Sequence, residues 1–185
     1  QIAERNAIPV VTTLMGIGSI PTSHPRFFGM LGMHGEPYTN LLLEECDLLI
    51  AVGSRFDDRA TGKLSEFCPD AKVIHVDIDR TELGKLRKPD LAIQADARTF
   101  LSALRNILPF HERREWTALC DDLRRDHPSE NHDGNSTALS YLREISDSIS
   151  DHDVITTDVG QHQMWAAQVC KIREPRTFLT SGGLG

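Results

Sequence analysis

The chain has 185 residues, of which 39% are hydrophobic and 25% are charged, and its formal net charge is −7 at pH 7. These values are typical of a globular protein, and no run approaches the roughly 18 apolar residues that would predict a membrane span. The acidic balance and the lack of a broad basic face argue against nucleic acid, so we predict neither a nucleic-acid nor a membrane partner. The cysteines form no CxxC pair, which predicts buried thiols in a reducing cytosol and no metal site: Cys46, Cys68, Cys120 and Cys170.

The first hundred residues alternate between strand-like and helix-like patterns. Short runs rich in Val and Ile predict strands at 8–13, 47–52, 72–78 and 91–94, and periodic apolar residues predict helices at 37–46, 80–86 and 97–108. The first helix would bury Leu41, Leu42 and Leu43, and the last would bury Phe100, Leu101, Leu104 and Leu108. Strands that alternate with short helices predict an α/β fold with a parallel sheet covered on both faces.

The composition changes after residue 108. Residues 109–135 are polar, and we interpret them as an interdomain connection that contains an exposed amphipathic helix at 116–125. A second α/β unit is predicted from residue 136, with a helix at 137–150 that buries Leu139, Leu142 and Ile145. A strand at 153–158, a helix from 161 to 169, a strand at 177–180 and a glycine-rich turn at 181–185 follow. Both ends interrupt an element, so we expect a fragment: a truncated domain at 1–108, the connection, and the opening of a further domain at 136–185.

The most informative loop follows the apolar run 48–52. That run reads as a buried parallel strand, and ligands of open α/β sheets bind beyond the carboxyl ends of the strands. Gly53 would allow a ligand to approach the backbone, while Arg55 and Arg59 could neutralise a phosphate or a carboxylate. The loop therefore predicts an anion site of the nucleotide type.

Three further loops, 13–16, 31–35 and 77–79, follow other strands and strengthen this hypothesis. Asp77 is placed to accept hydrogen bonds from a ribose, and Asp96 could lie near an adenine. Each loop alone is more often a solvated turn, and the GxGxxG fingerprint of dinucleotide sites is absent. Together the loops favour dinucleotide binding as one of two open interpretations.

In the second unit, Gln161 and His162 begin a predicted helix, where free amide groups favour an anion such as a diphosphate. The turn 181–185 is a second candidate cradle. The alternative is an ordinary helix start with polar caps. No Ser/His/Asp or Cys/His arrangement suggests a nucleophile.

Several stretches together resemble one family in order and spacing. Residues 14–16, 29–35, 53–59, 155–165 and 181–185 resemble the acetohydroxyacid synthase (acetolactate synthase) large-subunit family, and residues 75–80 and 95–97 are most similar to its bacterial isozyme I form. The resemblance covers essentially the whole chain. It implies a thiamine-diphosphate enzyme with three α/β domains, of which this chain would hold most of the Rossmann-like central FAD-binding domain and the start of the diphosphate-binding domain.

The resemblance also implies the residues of two cofactor sites. Met33 and Arg59 resemble positions at the substrate access channel. The activating glutamate and the motif that binds magnesium would lie outside this sequence, so we assign no catalytic and no metal residue and expect the fragment alone to be inactive. FAD would contact Thr13, Leu14, Met15, Leu31, Gly32, Met33, His34, Gly53, Ser54, Arg55, Asp57, Arg59, Asp77, Ile78, Asp96 and Ala97, and thiamine diphosphate would contact Val159, Gly160, Gln161, His162 and Gly185.

The implied reaction condenses pyruvate with a second pyruvate or with 2-oxobutyrate, with loss of carbon dioxide, on the route to valine, leucine and isoleucine. The implied cofactors are thiamine diphosphate, magnesium and a largely structural FAD. The implied partners are a second large subunit, in a homodimer or homotetramer, and a regulatory small subunit. Three alternatives remain open: a related thiamine-diphosphate and FAD carboligase or pyruvate oxidase, a nucleotide-binding module without chemistry, and a purely structural or interaction role.

Overall fold

A computed structural model describes residues 1–129 and 137–183 of the chain. The predicted domain start at residue 136 and the end of the glycine-rich turn, with Gly185, lie outside these ranges. In chain order the elements are α1 (Ile2–Arg5), β1 (Val10–Thr12), β2 (Phe27–Met30), α2 (Pro37–Glu44), β3 (Leu48–Val52), α3 (Asp58–Thr61), β4 (Lys72–Asp77), β5 (Leu91–Gln94), α4 (Ala97–Ile107), α5 (Arg114–Asp126), α6 (Thr137–Ser148), β6 (Ile155–Thr157), α7 (Gln161–Val169) and β7 (Phe178–Thr180).

The strands pair in parallel, as the alternating pattern predicts. In the described residues they form three short sheets: β1–β2, β3–β4–β5 and β6–β7. In the three-stranded sheet Leu48 pairs with Lys72 and Ile74 pairs with Leu91. This register brings the carboxyl ends of β3, β4 and β5 to one edge, where a parallel sheet can bind a ligand. The α/β fold class is confirmed.

An apolar cluster joins the two α/β units. Ile17 and Met30 from the first unit pack with Ala166, Ile172 and Phe178 from the second, and all five are at most 7% exposed. A reciprocal pair of hydrogen bonds supports the joint, because the amide of Thr22 donates to the Ile172 carbonyl at 2.8 Å and the Ile172 amide donates to Thr22 Oγ1 at 3.0 Å. The loops of both units are therefore held in a fixed relation.

The four cysteines are buried and unpaired, which confirms that part of the prediction. Within the described ranges no helix has both the length and the apolar character that crossing a bilayer requires. The predicted burial of α4 is only partly correct, because Leu101 is 40% exposed and no residue of this helix is fully buried.

Two predictions about local structure are wrong. Residues 80–86 form successive turns instead of a helix: the amides of Leu83 and Lys85 donate to the carbonyls three residues before them, and Gly84 has φ +77°. The positive φ of Gly84 lies outside the helical region and interrupts the run. The strand β2 was not predicted, since Gly29 interrupts its apolar pattern, but the strand is stabilised by pairing with β1.

The packing of two helices also differs from the prediction. Helix α5 is not simply exposed, because Cys120 is 1% exposed and Trp116 packs beside Phe28 and Leu42 on the first unit. In α6 the predicted core residue Ile145 is 53% exposed, and Ser146 is buried in its place. The Ser146 hydroxyl oxygen accepts a hydrogen bond from the Lys171 amide at 2.8 Å, so the inward face of α6 carries a polar contact as well as Leu139.

Candidate functional site

The loop after β3 presents an unpaired guanidinium beside an open glycine. Gly53 has φ +65°, and a Cβ built on it meets no atom within 4 Å. Its amide donates to the Val76 carbonyl at 2.8 Å, which keeps the start of the loop beside β4. Arg55 is exposed and makes no ion pair with any residue in the described ranges. An exposed backbone and a free cation suit an anionic ligand group.

The loop after β2 packs directly against this loop. The Met33 amide donates to the Arg59 carbonyl at 2.9 Å, and Arg59 Nη1 lies 3.6 Å from Met33 Sδ. Gly32, at φ +97°, allows this approach, because a Cβ there would lie 2.2 Å from the Arg59 carbonyl oxygen. The amide side chain of Asn40 fixes Gly32 by accepting from its N–H at 2.9 Å and donating to its carbonyl at 3.0 Å. The two predicted loops thus form one surface.

The edge continues across β4 and β5. The Ala95 amide donates to the Asp77 carbonyl at 3.0 Å, which joins the ends of these strands. The predicted acidic residues, however, also bind local amides: Asp77 accepts from the Asp79 amide, Asp57 caps α3 and Asp96 caps α4. Hydrogen bonding from the backbone amide of Thr99 lowers the pKa of Asp96 below its ordinary value. The hydrogen bonds of these aspartates therefore stabilise the local backbone conformation.

Large apolar side chains are exposed in three of the strand-end loops. Met15, Met33 and Ile78, which follow β1, β2 and β4, are 63%, 60% and 71% exposed. Exposed apolar side chains are available for contact with a ligand or a partner. Leu14 and Leu31 instead are partly buried and pack against the cores. Of the remaining predicted FAD contacts, Thr13, His34 and Ser54 follow β1, β2 and β3, and Ala97 begins α4.

The predicted diphosphate loop lies at the start of α7. Gly160 precedes this nine-residue helix, and a Cβ on Gly160 would lie 2.9 Å from the His162 ring, so glycine lets the imidazole fold back over the loop. Val159 is 46% exposed and Gln161 is also exposed. The first amides of a helix carry a partial positive charge that attracts anions. The geometry suits the diphosphate that the sequence suggests.

A cavity of about 470 Å³ separates the two predicted cofactor loops. One wall is His34, and the other wall is α7 and the loop before it, including Gly160 and Trp165. Gln168 Nε2 donates to the His34 carbonyl at 2.8 Å and bridges the two walls. The cavity is therefore lined by the predicted diphosphate loop and by His34 from the predicted flavin loops.

Sequence reasoning missed the residues that hold these loops in place. Asn40 fixes Gly32, Gln168 binds the His34 carbonyl, and His75 binds the Ser54 carbonyl at 2.9 Å. Gln163 is 1% exposed, and its side-chain amide donates to Thr180 Oγ1 and to the Ser181 carbonyl. Each of these side chains makes a hydrogen bond to a residue that is distant in sequence. Only the resemblance to a known family could therefore have indicated these residues.

Comparisons with known proteins agree with this arrangement. Residues 1–104 match the family described as "Thiamine pyrophosphate enzyme, central domain", and residues 158–185 match "Thiamine pyrophosphate enzyme, C-terminal TPP binding domain". The chain is 48% identical to the acetolactate synthase isozyme 1 large subunit of Escherichia coli (strain K12), with all of the chain and 33% of that protein covered. It is 47% identical to the isozyme 2 large subunit of the same organism, with 96% of the chain and 32% of that protein covered. It is 42% identical to chloroplastic acetolactate synthase 1 of Nicotiana tabacum, with all of the chain and 29% of that protein covered. The chain thus spans about a third of the length of the curated relatives it matches.

Proposed function

The chain belongs to the thiamine pyrophosphate enzyme family, and from that premise we propose that it forms the flavin-binding and part of the diphosphate-binding region of an acetolactate synthase catalytic subunit. The observation that carries the proposal is the loop after β3, where Gly53 leaves the backbone open and Arg55 makes no ion pair with any described residue. In the second unit, residues at the start of α7 line a cavity that His34 of the first unit also lines.

The proposed roles follow from what each group offers. Arg55 and Arg59 bind the phosphates of FAD, Asp77 accepts from its ribose, and the apolar faces of Met15 and Met33 cover its ring system. All of the FAD contacts that the sequence suggests belong to this proposal, including His34, Asp96 and Ala97.

On the second side, the amides around Gly160, Gln161 and His162 bind the diphosphate of thiamine diphosphate. The thiamine cofactor, when bound, supplies the stabilised carbanion that joins two 2-oxo acids with loss of carbon dioxide. Within this chain, Met33 and Arg59, whose side chains contact each other, are proposed to lie at the substrate access channel, as the family resemblance implies.

The proposal extends to the whole enzyme. We propose pyruvate and 2-oxobutyrate as substrates, magnesium as the ion that accompanies the diphosphate, and a large-subunit dimer or tetramer with a regulatory small subunit. The similarity to large subunits in Escherichia coli supports these assignments. We propose a cytoplasmic location, which the four free buried thiols favour, because thiols persist in reducing compartments.

Titration of the purified protein with FAD tests the proposal. Flavin fluorescence and the melting temperature are followed in the parent protein, in Arg55→Ala and in Arg114→Ala, which removes an exposed arginine from the start of α5. We expect saturable binding that weakens about tenfold or more in Arg55→Ala, since a charged hydrogen bond contributes about 1.5–3 kcal/mol. Arg114→Ala should bind as the parent does.

Two results would overturn the assignment. A folded parent protein without saturable flavin binding would show that the loops serve another ligand, and equal affinity in Arg55→Ala would remove this arginine from the site. For the whole enzyme, oxygen-dependent decarboxylation of pyruvate in place of carboligation would favour a pyruvate oxidase.

A further inference from the structure

A buried histidine lies beneath the loop that follows β3, and the proposed function does not use it. His75 lies in the middle of β4, paired with Ala51 of β3 and Ala92 of β5, and it is 0% exposed. Its Nε2 lies 2.9 Å from the Ser54 carbonyl oxygen. Because a carbonyl only accepts, Nε2 carries the proton and the ring is the Nε2–H tautomer.

The other nitrogen of this ring has no partner. Nδ1 of His75 is buried and makes no hydrogen bond to any residue in the described ranges. An aliphatic side chain would fill the same space without burying an unpaired nitrogen, and such a nitrogen destabilises a fold. Packing alone therefore does not account for histidine at this position, whereas the bond to the loop does.

The same ring also supports the next buried residue of the loop. Phe56 is 4% exposed and packs edge-to-face on the His75 ring, with centroids 4.9 Å apart and planes at 83°. Phe56 has φ +56°, an unfavourable conformation for a non-glycine residue, so its backbone must be held by surrounding contacts. The His75 ring supplies one of them.

These contacts lie on both sides of the exposed Arg55 in the chain. β4 holds the loop through the Gly53 amide, the Ser54 carbonyl and the Phe56 ring. Between these contacts, Arg55 has an exposed side chain that makes no ion pair within the part of the chain that the structure describes. A charged group fixed in its binding orientation before the ligand arrives loses less entropy on binding.

We propose that His75 is a positioning residue for flavin binding: its Nε2–H group holds the Ser54 carbonyl and thereby sets the direction in which Arg55 presents its guanidinium to the cofactor. This inference rests on the proposed function, since it assumes that Arg55 binds the flavin phosphates.

Two variants separate the hydrogen bond from the volume of the side chain. His75→Leu fills the space without a donor, while His75→Gln places an N–H close to the position of Nε2. We expect flavin affinity to fall about tenfold in His75→Leu and to stay within about threefold of the parent in His75→Gln. Hydrogen exchange of residues 53–57 should accelerate in His75→Leu and return towards the parent rate in His75→Gln.

A matched control distinguishes positioning from general destabilisation. Leu42→Ala creates a cavity at a residue that is 3% exposed and lies in another cluster, so it should lower the melting temperature and leave flavin affinity unchanged. If Leu42→Ala and His75→Leu weaken flavin binding equally at equal loss of melting temperature, His75 is merely structural and the inference is overturned.

A measurement on the unaltered protein does not depend on the folding of any variant. Long-range proton–nitrogen correlation spectra report which imidazole nitrogen carries the proton, and we expect Nε2–H for His75. An Nδ1–H tautomer would overturn the inference. Full affinity in His75→Leu with weakened affinity in Arg55→Ala would also overturn it and leave the proposed function standing, whereas full affinity in both variants would overturn the proposed function.

Discussion

Replacing Gly32 by alanine should separate the two loops that meet at the candidate flavin site. A Cβ on this residue would lie 2.2 Å from the Arg59 carbonyl oxygen and 2.9 Å from Ala60 Cα, and both are backbone atoms that cannot rotate away. The left-handed φ of +97° adds about 1–2 kcal/mol for a residue with a side chain, and overpacking adds about 1–3 kcal/mol. The expected loss of about 2–5 kcal/mol is a large fraction of the stability of an ordinary domain.

Thermal unfolding and FAD titration of three glycine variants test this expectation. For a chain of this size, the loss at Gly32→Ala corresponds to a melting temperature lowered by roughly 5–15 °C. Gly62→Ala is the matched control, because Gly62 also has a positive φ and a Cβ there meets open space. Gly53→Ala should resemble Gly62→Ala in stability but bind FAD more weakly, since its methyl group lies where the ligand would approach the backbone. A Gly32→Ala protein as stable as Gly62→Ala would refute the reasoning.

Three further predictions concern contacts around the site and the core. Gln168→Ala removes the donor to the His34 carbonyl and should lower the free energy of unfolding by about 1 kcal/mol, measured by urea titration; an unchanged midpoint would contradict it. Burial raises the pKa of Tyr38 from 10.0 to about 12, so the contribution of Tyr38 to stability should be complete below pH 10 and be lost between pH 10 and 12, and the fall in stability over that range should be smaller in Tyr38→Phe. Burial also raises the pKa of the Cys170 thiol to about 11, so iodoacetamide at pH 8 should modify it only as fast as the protein unfolds, and rapid labelling of the native protein would refute this.

The elements that sequence reasoning located best are those with a clear period or a clear boundary. Helix α7 and strand β5 occupy the predicted residues, because Gly160 precedes the helix and a short apolar run bounded by polar residues forms the strand. The prediction failed where tertiary contacts decide the outcome. The buried face of α6 includes Ser146, whose hydrogen bond to Lys171 joins residues 25 positions apart, so the apolar pattern favoured Ile145 in its place.

The candidate site also contains some residues that sequence patterns indicate and others that only tertiary contacts reveal. Glycines and arginines after strands mark the loops, so Gly53 and Arg55 could be found from their sequence context alone. The side chains that fix those loops act at a distance: Asn40 binds a residue 8 positions away, and His75 binds one 21 positions away. Their targets are backbone carbonyls and amides, which every residue has, and therefore no pattern of residue types indicates the pairing.

The joint between the units explains why His34 and α7 can line one cavity. His34 belongs to the first unit and α7 to the second, so the distance across the cavity depends on how the two units pack. The apolar cluster that includes Met30 and Ala166 lies beneath both walls, and interiors of this kind are packed closely enough to transmit strain. A change in the volume of Met30 would move β2, and with it the loop that carries His34, relative to α7. The cavity is thus a property of the joint and not of either unit, because its two walls belong to different units and the packed core between them sets their separation.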